Sequence, residues 1–379
     1  MHHGMYVYAW DLWHEGTSPV IDRLRAAGLN AISLATAYHA GKFLRPHAPG
    51  GKVWFPEDGT IYFRPDTARY GILQPQAAAM VDHHDALAEL ARIAPDFHLT
   101  GWTVGLHNSR LGVLHPHLCC QTPFGDPLIN ALCPSQPAAR HYLTALCADT
   151  AAQPGLREVA IEAPGFQTFR HGHHHEFELI DVTDTAHTLL GLCFCDACLA
   201  RARAAGIDGE ALRRRARRDL EAFFVDGSVP VTDVQTDPDW AAFLACRAKT
   251  VTSLVAEVRD AMNPAVTLAV IPSVQTPNDL CWREGSDLTA LAQAADRLEV
   301  PAYQTGPTAI AADMDQVRAA AGAEARIGFI LRPTWPHVAG AADLARCVQA
   351  ARAAGTDRLS FYNYGHMRLQ SLNWITDAL

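Results

Sequence analysis

Between residues 157 and 198 the chain gathers the residue types that carry acid–base and metal chemistry. The run Arg-Glu-Val-Ala-Ile-Glu-Ala-Pro-Gly-Phe (157–166) reads as an apolar strand that ends on Glu162, just before a Pro-Gly break. His171, His173, His174, His175 and Glu176 follow, and then Leu-Cys-Phe-Cys-Asp-Ala-Cys (192–198). A carboxylate at the carboxyl end of a strand is where α/β barrel enzymes hold catalytic groups. Burial at the mouth of an apolar barrel would raise its pKa, as a general acid requires. The plainer alternative for Glu162 is an ion pair with Arg or His. The spacing Cys193-x-Cys195-x-x-Cys198, with histidines upstream, could supply thiolate and imidazole ligands to a structural zinc ion. Its alternative is a set of reduced cysteines packing the start of a helix. Cys195-Asp-Ala-Cys198 lacks the surroundings of a thioredoxin-like redox motif.

These groups need a frame, and the pattern predicts one. Short apolar strands alternate with Ala-, Arg- and Leu-rich helices. The predicted strands are Tyr6–Trp13, Asn30–Tyr38, His98–His107, Glu158–Glu162, Val266–Ile271, Arg297–Tyr303, Ala325–Leu331 and Arg358–Tyr364. Eight β/α units in a chain of 379 residues fit an α/β fold of the TIM (β/α)8 type, with all of 1–379 as one barrel domain. Near-continuous apolar strands suit a parallel sheet covered on both faces. A doubly wound open sheet competes, but no Gly-x-Gly-x-x-Gly follows the first strand. Residues 40–75 form a Pro-, Gly- and aromatic-rich segment too long for an ordinary connection. Residues 167–262 read as a long, mainly helical insertion after the fourth strand.

The carboxyl ends of the strands test the idea, because barrel chemistry sits there. They offer Trp10, Asp11 and Trp13; Tyr38 and His39; His107, Asn108 and Arg110; Glu162; Gln275 with Asp279, Trp282, Arg283 and Glu284; Tyr303; Arg332 and Trp335; Tyr362 and Asn363. Aromatic rings stack on the C–H face of a pyranose, while Asn, His and Arg bond its hydroxyls or an acidic group. Such a set is expensive in a purely structural barrel, since buried polar groups cost free energy unless paired. Glycoside cleavage usually employs two carboxyl groups. Glu162 is the candidate proton donor. Glu284 is the first choice for its partner, with Asp11, Asp279 and Glu176 as alternatives. Two rival readings remain: a metal-dependent barrel hydrolase or isomerase built on His39, His107 and the His171–His175 loop, and a barrel that binds saccharide without turning it over.

Composition excludes some classes of partner. A formal charge of −9 argues against nucleic acid or an anionic membrane. No apolar run approaches the roughly 20 residues that span a bilayer. No basic region followed by an apolar stretch opens the chain, so the ten cysteines read as reduced and the expected location is cytoplasmic. Acid–base hydrolysis requires no cofactor. The expected partner is a mono- or oligosaccharide, and a homo-oligomer is compatible with the sequence.

Gly191-Leu-Cys-Phe-Cys-Asp-Ala-Cys-Leu, leading into a long charged helix, resembles the Cys-Tyr-Cys-x-x-Cys segment after the fourth strand of barrel glycoside hydrolases. It is similar to family 42 β-galactosidases and to several hypothetical glycosyl-hydrolase-like families. The resemblance implies a carbohydrate-active TIM barrel with its acid/base glutamate ending the fourth strand, at Glu162. It also implies a nucleophilic glutamate ending the seventh strand. Here the chain departs from the pattern, because that region holds Arg332 and Trp335 and no carboxylate.

Overall fold

The computed structural model describes residues 2–172, 179–228, 233–274 and 277–379. Eight parallel strands close on themselves: β1 (His2–Val7), β2 (Ala31–Tyr38), β3 (His98–Val104), β4 (Leu156–Glu162), β5 (Thr267–Val270), β6 (Arg297–Pro301), β7 (Ile327–Leu331) and β8 (Arg358–Phe361). Each pairs with its neighbours in parallel register, and β1 pairs with both β2 and β8 to complete the ring. This is a TIM (β/α)8 barrel. Its outer helices are α1 (Thr17–Ala26), α2 (Ala86–Ile93), α3 (Pro137–Ala151), α4 (Pro238–Ala261), α5 (Leu288–Ala294), α6 (Pro307–Ala321), α7 (Ala341–Ala353) and α8 (Gln370–Ala378). Strands buried on both faces need apolar residues at nearly every position, and β2 and β7 are buried throughout.

The first predicted strand is misplaced. The strand is His2–Val7, and Ala9–Glu15 is a short helix. An aromatic, apolar run does not reveal its period, so strand and helix are hard to tell apart there. Trp10, Asp11 and Trp13 therefore sit on a helix beyond the strand rather than at its tip.

Helices Asp184–Gly191, Asp196–Ala204 and Gly209–Asp226 form the insertion after β4. They bury an apolar cluster of their own, including Leu189, Phe194, Leu220, Trp240 and Phe243. The last helix of the predicted 167–262 stretch, α4, is part of the barrel's outer ring, packed between α3 and α5. The long segment after β2 contributes Thr60–Ile61, which pairs antiparallel with the end of that strand.

Side chains alternate across each strand, so residues two apart share a face. The base of the barrel interior is consequently polar. Glu158 accepts from Arg358 at 2.6 Å, from Arg297, and from Thr100 and Thr267 at 3.2 Å each. Glu299 accepts from Ser360 at 2.7 Å and faces both guanidinium groups. Among the described residues no helix is long and apolar enough to cross a membrane.

Candidate active site

Glu162 lies on the inward face of β4, four residues beyond Glu158, and opens into a cleft of about 250 Å³ at the barrel mouth. Tyr6, Tyr38, His39, His171, Tyr303, Arg332 and Tyr362 share its walls, with Ile271, Val274, Pro301 and Ile330. The indole N–H of Trp102, on β3, donates to Glu162 Oε2 at 2.6 Å. Burial pushes the Glu162 pKa up to about 7, against the smaller opposing pull of the Trp102 hydrogen bond and the Arg332 charge. The carboxyl group is thus substantially protonated at neutral pH and able to donate.

Three tyrosines meet at the hydroxyl of Tyr8, which donates to Tyr38 Oη at 3.1 Å and lies 3.1 Å from Tyr362 Oη. Burial, and after it neighbouring charge that includes Glu162, holds Tyr38, Tyr303 and Tyr362 above the usual phenol range. These rings therefore present neutral hydroxyls. The Arg332 guanidinium stacks 3.7 Å above the Tyr303 ring centre, 5.1 Å from that of Tyr362, with Nη1 3.3 Å from His337 Nε2. His39 stacks on His107 with ring centres 4.2 Å apart, and His107 Nδ1 lies 3.2 Å from His171 Nε2. Burial pulls His39 down and His171 down to about 4, so both are uncharged at neutral pH.

Seven of the sequence candidates converge here: Glu162, Tyr38, His39, His171, Tyr303, Arg332 and Tyr362. His107 backs the wall behind His39. The others are placed elsewhere. Asp11 is sealed in the interior, where it accepts from the Tyr8 N–H at 3.3 Å and from Arg45 Nε at 3.2 Å. Glycine at 365 makes that possible, since a Cβ there would sit 2.5 Å from the Asp11 carboxylate. Glu284 is buried and accepts from Ser273 Oγ at 2.6 Å and Val274 N at 3.2 Å, while its carbonyl takes the Phe166 N–H at 2.9 Å. It ties together the loops after β4 and β5. Asp279 is exposed on the turn before it. Glu176, His173, His174, His175 and Gln275 lie outside the described residues. Among the described residues that line the cleft, Glu162 is the sole carboxylate.

Trp10 is buried, stacked on Tyr8 with ring centres 4.2 Å apart, and braces the wall from behind. Trp13, 38% exposed, faces a separate groove with Trp54 and Phe55. Asn108 caps the helix Ser109–Leu114 and donates to the Gly59 carbonyl at 3.2 Å. Arg110 donates to the Asp58 carbonyl at 3.2 Å. Trp282 lines a pocket against the insertion with Phe169 and His187. Trp335 is 82% exposed. Asn363 is buried and accepts from the Gly365 N–H at 2.9 Å. The residues that sequence reasoning missed, Tyr6, Tyr8 and Trp102, sit within or just past strands rather than at their predicted tips. The signal was there in the two-residue alternation that turns Tyr6 and Trp102 inward.

A second constellation lies outside the cleft. Cys133, Cys193, Cys195 and Cys198 are all buried, with sulfurs within 4.8 Å of one another. Cys133 Sγ is 3.5 Å from that of Cys198, 3.6 Å from Cys195 and 3.8 Å from Cys193. Four thiolates about 2.3 Å from a tetrahedral zinc ion stand about 3.8 Å apart, so the spacing fits. The backbone N–H groups of Gln121 and Ser135 reach Cys193 and Cys133 at 3.3 and 3.4 Å. Arg247 is buried beside the cluster, and burial pulls its pKa below the usual guanidinium range against the smaller opposing effect of the cysteines. The fourth cysteine of the cluster, Cys133, comes from the region after β3 and stands where the sequence had suggested histidine. No histidine joins the cluster among the described residues.

No family model and no curated protein sequence matches this chain. Solved structures resemble it over nearly their whole length. The glycoside hydrolase domain of PgaB (BpsB) from Bordetella bronchiseptica superposes with a TM-score of 0.58 at 15% identity, over 96% of this chain and 94% of that one. The catalytic domain of beta-amylase from Paenibacillus polymyxa gives 0.59 at 9% identity, over 100% and 97%. At these identities the likeness establishes the fold alone, that of a TIM barrel. It does not single out family 42.

Proposed function

We propose that this barrel hydrolyses glycosidic bonds with Glu162 as the proton donor. The observation that carries the reading is a carboxyl group with its pKa near 7, held by one indole N–H at the barrel mouth and facing a cleft of sugar-unit dimensions walled by aromatic rings. As the bond between the anomeric carbon and the leaving oxygen breaks, Glu162 gives its proton to that oxygen. Water then adds to the anomeric carbon and its surplus proton restores the acid. Glu162→Gln keeps the size and the Trp102 contact but removes the proton. It is expected to lower kcat by about 10²- to 10⁴-fold with an unchanged circular dichroism spectrum, and activated aryl glycosides should lose least because their leaving groups need less protonation. An undiminished rate would exclude the role.

A reading as a saccharide-binding barrel draws on a different observation: Asp11, Asp279 and Glu284 do not line the cleft. Calorimetric binding of sugars without product would favour it. The metal-dependent reading finds less support, because the one metal-competent cluster among the described residues is the cysteine set.

We also propose that Cys133, Cys193, Cys195 and Cys198 hold a structural zinc ion that fastens the insertion to the segment after β3. Elemental analysis should find stoichiometric zinc. Cys133→Ser should release it and lower the melting temperature, and a metal-free native protein would refute the site.

A further inference from the structure

Among the described residues the cleft holds a guanidinium that makes no ion pair within the protein. Arg332 follows β7, where the resembled family carries a carboxylate, and its guanidinium lies among Tyr303, Tyr362 and His337. Among the described residues no Asp or Glu forms an ion pair with it, and its Nε is buried without a hydrogen-bond partner. Glu162, the one acidic side chain in the described wall, accepts from the Trp102 indole through Oε2 and forms no ion pair with Arg332. The histidines around Arg332 and Glu162 add no compensating negative charge, and the tyrosines are neutral. Keeping a guanidinium in such a place is costly unless an anion arrives to complete it.

Resting on the reading of the cleft as a saccharide site, we infer that its substrate carries a carboxylate, as a uronic acid unit, and that Arg332 recognises that group. A planar guanidinium matches a carboxylate with two parallel hydrogen bonds, and its position against Tyr303 pre-orients the fork. The chemistry of a uronate fits the placement of the two charged groups. Its C5 carboxylate and its C1 glycosidic oxygen flank the ring oxygen, so one ring can offer the first to Arg332 and the second to Glu162. Arg332 is the one arginine or lysine in the described wall, although the whole chain carries a net charge of −9.

Isothermal titration tests this with D-glucuronate and D-galacturonate, against D-glucose, D-galactose and galactose 6-sulfate. The wild-type protein and Glu162→Gln should both bind at least one uronate about tenfold or more tighter than its neutral hexose. Arg332→Gln should lose that preference, its uronate affinity falling to that of its neutral hexose, and Arg332→Lys should keep part of it. Should Arg332→Gln fail to fold, the wild-type preference and Arg332→Lys still decide. Neutral hexoses binding as tightly as uronates, a preference retained in Arg332→Gln, binding of the sulfate in place of the uronates, or no binding by any of the set would each overturn the inference. Uronate binding without hydrolysis of aryl uronides would leave it standing and remove the hydrolase reading.

Discussion

Glu158 and Glu162 stand four residues apart on the same face of the same strand, yet they do opposite things. Glu158 is saturated by two arginines and two threonines at the barrel base. Glu162 has one indole donor and an open cleft in front of it. The arginines differ in the same sense: Arg358 and Arg297 are paired with carboxylates, and among the described residues Arg332 is not. A buried charge whose partners are all supplied by the protein holds the barrel closed. One left incomplete at the mouth is available to a ligand, and the protein tolerates it at some cost in stability.

The sharpest way to break this contrast is to empty each position. Glu158→Ala would strand two guanidinium groups in the barrel core and should destabilise the protein by about 3–5 kcal/mol, read as a large fall in the denaturation midpoint. A small change would mean that the base network is not what closes the barrel. Glu162→Gln should act in the other direction on stability. The folded protein holds this proton to a pKa of about 7 rather than the ordinary 4.5, so ionisation weakens the fold as pH rises through that window. The raw shift, discounted for the partial exposure of the group, predicts a gain of about 1–2 kcal/mol above pH ~7 and almost none below pH ~4.5. Melting curves of both proteins across pH would show the gap opening, and a pH-independent difference would contradict the assignment.

The subtlest test removes the single bond that Glu162 does have. The Trp102 indole favours the ionised carboxylate, so Trp102→Phe should raise the Glu162 pKa further. In a pH–rate profile the loss of activity above pH ~7, which reports deprotonation of the acid, should then move upward by about half to one unit. A downward move would show that the indole stabilises the neutral acid instead.

Much of the frame was legible in the chain. The strands from Ala31 to Tyr38 and from Ile327 to Leu331 announce themselves because double burial demands continuous apolar residues. Glu162 was readable because it ends such a run before Pro-Gly. The first strand was not, since Tyr6 to Trp13 is aromatic on every side of either a strand or a helix, and the misplacement took Asp11 and Trp13 with it. Asn108 and Glu284 looked like site residues because polar groups at strand ends are ambiguous: Asn108 caps a helix, and Glu284 ties two loops together. Cys133 was invisible as a ligand because 60 residues separate it from Cys193.

Local pattern and residue chemistry thus determined the alternation of strand and helix, the place of the acid and the stock of groups at the barrel mouth. Those follow from periodicity and burial, which are written along the chain. Only the closed barrel decided which polar groups find partners within the protein. Pairing depends on which strands face one another across the interior, and that made Glu158 a strut and left Glu162 and Arg332 facing an open cleft.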